Sequence, residues 1–285
     1  MDNLYDKIEQ SIAFIQKGER LALSLNPSDG YFVGFSGGKD SQVLLDLVQR
    51  SGVKYRAVYS VTTTDPPDNV YFIRRYYPEV IFEHHHPNFY HLVAKKGLPT
   101  IFHRWCCEVF KEGGGAGNVV LTGVRREESK KREKYPPVVV RSDRKEHLTR
   151  TEPYTIEGIE EAHHQCIKGK DKIMLYPLLD WTATDIWVYI ARNHIPVNPC
   201  YETSGRVGCM FCPFASSQQI EHFERTQPKA FSLLLENLTK YLTNEIGWRD
   251  RYLADVKEYW EWWKSGKKLK DFLANKNQTQ IDFKE

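Results

Sequence analysis

Apolar positions along the chain switch between helical and strand-like spacing. Leu4, Ile8, Ile12 and Ile15 recur at helical intervals and predict a helix over residues 3–25. Tyr31–Phe35 is a short apolar run that stops at a glycine turn. From Asp40 to Val48 the spacing is helical again, with Val43, Leu44, Leu47 and Val48 placed for burial. Val53–Val61 reads as a second strand, followed by a polar turn and a helix near Asp68–Tyr77. Val80–Glu83 reads as a third strand, and Asn118–Gly123 as a buried strand ending in glycine. Residues 125–175 are polar and less regular. A helix is expected over Thr184–Asn193, capped by Thr182 or Thr184. Beyond Phe214 the pattern is helical and aromatic, with Trp248, Tyr252, Tyr259, Trp260, Trp262 and Trp263. Alternating strands and helices predict an α/β fold, a parallel sheet with helices on both faces, plus a C-terminal helical region. The expected division is an α/β domain over 1–215, with the N-terminal helix and a cysteine segment, and a helical region over 216–285.

Composition changes this picture little. The 285 residues are 41% apolar and 27% charged, ordinary for a globular protein, and a net charge of +3 announces no polyanionic partner. The N-terminus lacks the apolar stretch of a signal peptide, and no run is long enough to span a bilayer. The default expectation is a cytoplasmic protein without a membrane partner. Six cysteines, Cys106, Cys107, Cys166, Cys200, Cys209 and Cys212, then read more readily as metal ligands or reactive thiols than as disulfides.

The strongest chemical signal is Ser36-Gly37-Gly38-Lys39-Asp40-Ser41, between the first strand and its helix. Two adjacent glycines let backbone N–H groups turn inward as an anion nest, and the following helix points its positive end there. Ser36 and Ser41 add hydroxyls, Lys39 neutralises phosphate charge, and Asp40 suits Mg²⁺, which binds through few carboxylates plus phosphate oxygens. This is not the other common phosphate loop, which needs a glycine where Val33 stands.

These residues resemble the signature of the PP-loop ATP pyrophosphatases, and their surroundings resemble the phosphoadenosine-phosphosulfate (PAPS) reductase-like branch. Cys106-Cys107-Glu108-Val109-Phe110-Lys111 is similar to its CC-x-x-x-K segment. Gly123-Val124-Arg125-Arg126-Glu127-Glu128-Ser129-Lys130-Lys131-Arg132 is similar to its G-x-R-x-x-E-S-x-x-R. Tyr176-Pro177-Leu178-Leu179-Asp180-Trp181 with Asp185-Ile186-Trp187 is similar to its P-L-x-x-W-x-x-x-D-(I/V)-W. The resemblance covers roughly residues 30–215 and implies a five-stranded parallel sheet of the adenine nucleotide α-hydrolase type. ATP or a related adenine nucleotide would lie across the strand ends. It places Ser60–Asp65, with Thr62 and Thr63, at the adenosine, and Gly123 and Arg125 at the phosphates. A salt bridge from Arg125 to Glu128 is the alternative.

Cys200-x8-Cys209-x2-Cys212-Pro213 is close to a ferredoxin-type ligand run and leaves a site one ligand short. The resemblance offers Cys106 or Cys107 as the fourth; adjacent cysteines rarely both bind one metal, so one of them is a spare thiol, and Cys107 is preferred as the ligand. A [4Fe–4S] cluster is the leading reading, as in the iron–sulfur branch that includes the DNA-phosphorothioation enzyme, and Zn²⁺ is the runner-up. Cys166, beside His163 and His164, reads as a bystander or a persulfide carrier.

Between Arg125 and Arg150 ten basic residues face five acidic ones, which suits either a polyanion or a solvated loop. His84, His85 and His86 read as the end of a strand. Trp260, Trp262 and Trp263 read as the packed face of a helix, with a base-stacking platform as the alternative. Three functions follow. The first is ATP-dependent adenylating sulfur transfer, yielding AMP and pyrophosphate, with DNA or tRNA as acceptor and a sulfur-donor protein such as a cysteine desulfurase. The second is reduction of phosphoadenosine or adenosine phosphosulfate, weakened because no cysteine follows Cys212, where the family's reductases carry their nucleophile. The third is a non-catalytic nucleotide-binding subunit. A homodimer is left open.

Overall fold

The computed structural model describes residues 3–142, 154–161, 171–243, 253 and 255–274. Arg144, Lys145, Arg150, His163, His164, Cys166, Trp248 and Tyr252 lie outside the described residues. The chain divides into two units. The first comprises Met1–Ser60, Pro67–Glu83 and Gly113–Val207; the second comprises Val61–Pro66, His84–Glu112 and Gly208–Glu285.

The first unit is built on strands β1 (Tyr31–Gly34), β2 (Tyr55–Val61), β3 (Ile81–His84), β4 (Val119–Leu121), β5 (Val138–Arg141) and β6 (Lys172–Leu175). Their order in the sheet is β3-β2-β1-β4-β6-β5. β1 pairs parallel with β2 and β4, and β4 with β6. The expected parallel sheet is present, with two corrections. It has six strands rather than five, and β5 runs antiparallel to β6, Val138 opposite Leu175 and Arg141 opposite Lys172. The two strands that the apolar spacing does not locate, β5 and β6, lie in the stretch that reads as irregular. Each is four residues long, with only three consecutive apolar residues, Val138–Val140 and Ile173–Leu175, inside a largely polar stretch. An antiparallel neighbour at a sheet edge also needs no crossover helix to announce it.

The helices follow the periodicity closely. The N-terminal helix is split at Gly18 into Asn3–Lys17 and Glu19–Leu25. The helix after the glycine turn spans Lys39–Ser51 and buries Val43, Leu44, Leu45, Leu47 and Val48. Helix Ala183–Arg192 is capped by Thr182, whose hydroxyl accepts from Asp185 N at 3.1 Å while Asp185 returns a bond to Thr182 N. Lys7 reaches the same carboxylate at 2.6 Å and ties this helix to the N-terminal one.

The second unit has its own core. Phe89, Leu92 and Val93 from helix Phe89–Lys96, with Trp105 and Phe110, pack with Leu234, Leu238 and Tyr241 from helix Pro228–Thr243. Tyr259, Trp260, Trp262 and Trp263 from helix Val256–Ser265 complete it. The rings of Trp260 and Trp263 stack at 5.0 Å, and Trp263 Nε1 donates to Pro99 O at 2.6 Å. These tryptophans are therefore the packed face of a helix. Among the described residues no helix is long and apolar enough to cross a membrane.

Candidate functional site

The strand order explains where the site lies. The chain runs outward from β1 through β2 to β3, then returns to the other side of β1 as β4. Such a reversal opens a crevice at the strand ends, the usual ligand position in open α/β sheets. The glycine turn follows β1, and the Gly123–Arg125 segment follows β4.

The loop is pre-shaped. Gly37 has φ +76°, and a Cβ there would sit 2.4 Å from Asn69 Oδ1, so only glycine fits. Gly38 caps helix Lys39–Ser51 in an extended conformation without a side-chain bond to the helix. Ser41 Oγ donates to Gly38 O at 2.8 Å and accepts from Ser36 N at 3.2 Å, and Ser36 Oγ accepts from Gly38 N at 3.3 Å. Two buried asparagines brace the turn from below. Asn69 Nδ2 donates to Ser36 O at 3.2 Å. Asn198 Nδ2 donates to Gly37 O at 2.9 Å and to Asn69 Oδ1 at 2.7 Å. The first helical amide, Lys39 N, donates to Tyr201 Oη at 2.8 Å. Asn69, Asn198 and Tyr201 are not legible as site residues in the sequence; an Asn-Pro turn before Cys200 is the only hint.

Charge converges on Asp40. Lys39 Nζ lies 2.7 Å from its Oδ2, and Arg125 Nε 2.6 Å from its Oδ1. Arg125 is buried and also binds Glu127 at 2.7 Å. Burial opposes its charge, but Asp40 and Glu127 more than offset that, so the guanidinium stays charged. Its side chain therefore pairs with Asp40 and Glu127, while Glu128 accepts from the Arg125 backbone N at 3.0 Å. Gly123 has a packing role: a Cβ there would lie 2.9 Å from the carbonyl carbon and oxygen of Asp40. Beside it, the buried Thr122 Oγ1 has no hydrogen-bond partner among the described residues.

Thr62 and Thr63 belong to the second unit. Thr62 N donates to Asp65 Oδ2 at 2.7 Å, and the Thr62 hydroxyl lies 3.5 Å from Cys209 Sγ. Thr63 takes φ +64° and accepts from Phe89 N at 3.2 Å through its hydroxyl. Cys106, Cys107, Cys209 and Cys212 are in this unit as well, while Cys200 is in the first, buried in the turn after Asn198. All five are free thiols. The Cys107 thiol is pulled down to about 6, first by a hydrogen bond from Cys106 and then by Lys111 and Arg104. Cys106 is correspondingly pushed up by that bond and by burial. Burial, with Asp68 adding to it, raises Cys200 to about 11. Lys111 is held charged by Cys209, against its burial, with Asp65 and Cys107 adding to the effect. Among the described residues, no three His, Cys, Asp or Glu side chains converge as a single bound metal ion would require.

Residues 30–215 match the model of the phosphoadenosine phosphosulfate reductase domain. An uncharacterised protein of Methanocaldococcus jannaschii, MJ0973, is 25% identical over 97% of this chain and 65% of its own length. The adenosine 5'-phosphosulfate reductase of Neisseria meningitidis is 27% identical over 49% of this chain and 52% of its own length. Among solved structures, a PAPS reductase from Candida auris in a phosphate complex aligns at 16% identity and TM-score 0.42, over 68% of this chain and 87% of that one. The chain thus spans less than two thirds of the length of the M. jannaschii relative. With the glycine turn and the family match over 186 of 285 residues (30 to 215 inclusive), the chain belongs to the phosphoadenosine phosphosulfate reductase domain family, of the PP-loop type.

Proposed function

We propose that this protein is an ATP-dependent adenylating sulfurtransferase that acts on nucleic acid and releases AMP and pyrophosphate. The observation that carries the reading is the braced phosphate loop with Asp40 held between Lys39 and Arg125. The loop amides and the hydroxyls of Ser36 and Ser41 would take phosphate oxygens. Lys39 would move from Asp40 to the phosphates, which frees Oδ2 for Mg²⁺. An acceptor oxygen then attacks the α-phosphorus, the bond to the β-phosphate breaks, and pyrophosphate leaves with its charge stabilised by the amides, Lys39 and Arg125. A sulfur nucleophile attacks the acceptor atom that bears the adenylated oxygen, and AMP departs with the electrons of that bond. Gly123 serves the close approach at Asp40.

A [4Fe–4S] cluster on Cys107, Cys209 and Cys212 of the second unit is the reading for these thiols, with Zn²⁺ as the alternative. Two features of the second unit favour an anionic, sulfur-rich group. Lys111 is a cation among the thiols, and the buried indole N–H of Trp105, next to Cys106, has no acceptor among the described residues. When bound, the cluster would hold the incoming sulfur. A protein such as a cysteine desulfurase would supply it.

The second reading, reduction of a phosphosulfate nucleotide, is favoured by the depressed Cys107 thiol and by the Neisseria reductase among the relatives. The deciding assay uses anaerobically purified protein, Mg²⁺ and α-labelled ATP, with and without mixed DNA or tRNA, and an Asp40→Ala control. Acceptor-dependent AMP that disappears in the variant supports adenylation. Sulfite release from a phosphosulfate nucleotide without ATP cleavage makes the protein a reductase. Iron, sulfide and zinc analysis of the wild type and Cys209→Ser tests the cluster.

A further inference from the structure

The second unit carries a surface feature that the nucleotide chemistry does not use. A cavity of about 290 Å³ opens between the loop Thr100–Phe102, Pro213 and the end of helix Val256–Ser265, with Trp262, Trp263, Lys267 and Lys268 in its wall. Phe102 in its wall is 75% exposed, and Phe214, next in the chain to the lining residue Pro213, is 52% exposed. Each carries a cation: Lys268 Nζ lies 5.8 Å from the Phe102 ring centre, and the Arg104 guanidinium 5.4 Å from that of Phe214. The stretch Lys264-Ser265-Gly266-Lys267-Lys268-Leu269-Lys270 holds four lysines and no carboxylate. Lys264 pairs with Glu224 and Glu261, but among the described residues Lys267 and Lys268 pair with no acid. Gly266, at φ +63°, turns the chain so that these lysines follow directly on the packed tryptophans.

We propose that this cavity and its rim bind a single-stranded nucleic acid, with one base in the cavity, neighbouring bases on Phe102 and Phe214, and phosphates on Lys267, Lys268 and Arg104. The proposal rests on the reading that the sulfur acceptor is a nucleic acid, and it names the strand form and the docking surface. Exposed rings flanked by unpaired cations are what a single strand needs, since every base has a face to stack and every linkage a charge to neutralise. A duplex hides its base faces and could use only the lysines. An acidic polypeptide would likewise pair with the lysines but leave the cavity and rings unused. The site also lies beside the thiols of its own unit: Pro213 follows Cys212, and Arg104 Nη1 is 4.0 Å from Cys107 Sγ.

The test is fluorescence anisotropy of the full chain with a labelled mixed-sequence single strand, its duplex, and poly-glutamate. It is run for wild type, Phe102→Ala, Phe214→Ala and the double variant Lys267→Ala/Lys268→Ala. These side chains are on the surface, so folding is preserved and is checked by circular dichroism. The expected result is preference for the single strand, a loss of about five- to a hundred-fold for each phenylalanine variant, and a salt slope reduced by about 1.4 in the lysine variant. Unchanged binding in the variants, or equal binding of the duplex, overturns the proposal. Poly-glutamate binding as tightly, with the loss confined to the lysine variant, overturns it in favour of an acidic protein partner. If oligonucleotides stimulate AMP formation equally in wild type and variants, this surface is wrong while the acceptor reading stands. If no oligonucleotide binds or stimulates, both fall.

Discussion

Arg125 Nε stands 2.6 Å from Asp40 Oδ1, although 85 residues separate them in the chain. The pair joins the ends of β1 and β4, the two strands at which the sheet reverses direction. It balances the charge of Asp40. Asp40→Asn keeps the shape and removes the negative charge. AMP formation should fall by about a hundred-fold or more, measured as initial rates at saturating Mg²⁺ and ATP. A rate within two-fold of wild type, roughly the noise of such assays, would remove Asp40 from the chemistry.

Gly123→Ala puts a methyl group against the Asp40 backbone, 2.9 Å from its carbonyl. The start of helix Lys39–Ser51 must then shift. Nucleotide affinity should drop at least ten-fold, on the order of 1.4 kcal/mol, while the far-ultraviolet dichroism stays native. Calorimetric titration with a non-hydrolysable ATP analogue checks this.

Asn198→Ala removes three buried hydrogen bonds, those to Gly37 O and Asn69 Oδ1 and the one from Cys200 N. The expected cost is about 2 kcal/mol or more, seen as a fall in Tm of about 5 °C. Added nucleotide should recover part of it, because the phosphates would organise the same turn. A variant as stable as wild type would mean that the bracing is incidental.

Tyr201 occupies the amide of Lys39 that a phosphate oxygen would claim. Burial pushes its hydroxyl up to about 12, so it is neutral at any working pH. Tyr201→Phe frees the amide, and nucleotide should bind about five-fold tighter, the value of one hydrogen bond. Weaker binding would show instead that the hydroxyl contacts the nucleotide.

Asp185 has a pH signature. Partial burial alone would raise its pKa, but Lys7 and the Thr182 donors outweigh this and hold it below the usual carboxylate range. A depressed carboxyl contributes stability above its unfolded value and loses it as pH falls through the folded one. The loss should therefore appear below about pH 4. Asp185→Asn should be less stable at neutral pH by about 1 kcal/mol, with a shallower decline on acidification, followed by denaturant melts at several pH values.

The sheet and loop were legible because they rest on local signals: β-branched runs, two glycines and a helical stripe from Val43 to Val48. β5 and β6 were hidden because their three-residue apolar runs, Val138–Val140 and Ile173–Leu175, are short and lie in a stretch dominated by charged and polar residues. The long-range partners were hidden for another reason. Nothing near Asn69 or Asn198 says that each meets the other 129 residues away, since their roles are set by burial rather than by neighbours in sequence. The packing role of Gly123 was equally invisible, because it depends on where another segment's backbone passes.

The core of the second unit joins residues made far apart in time. Helix Phe89–Lys96 finds its apolar partners in Leu234, Leu238, Tyr241 and Tyr259. On a ribosome adding about 5–20 residues per second, those partners arrive on the order of ten seconds later. Throughout that interval Phe89, Leu92, Val93, Trp105 and Phe110 have nothing of their own core to cover them, and they form the natural target of a holding chaperone. A chain stopped at residue 215 would make that nascent state permanent.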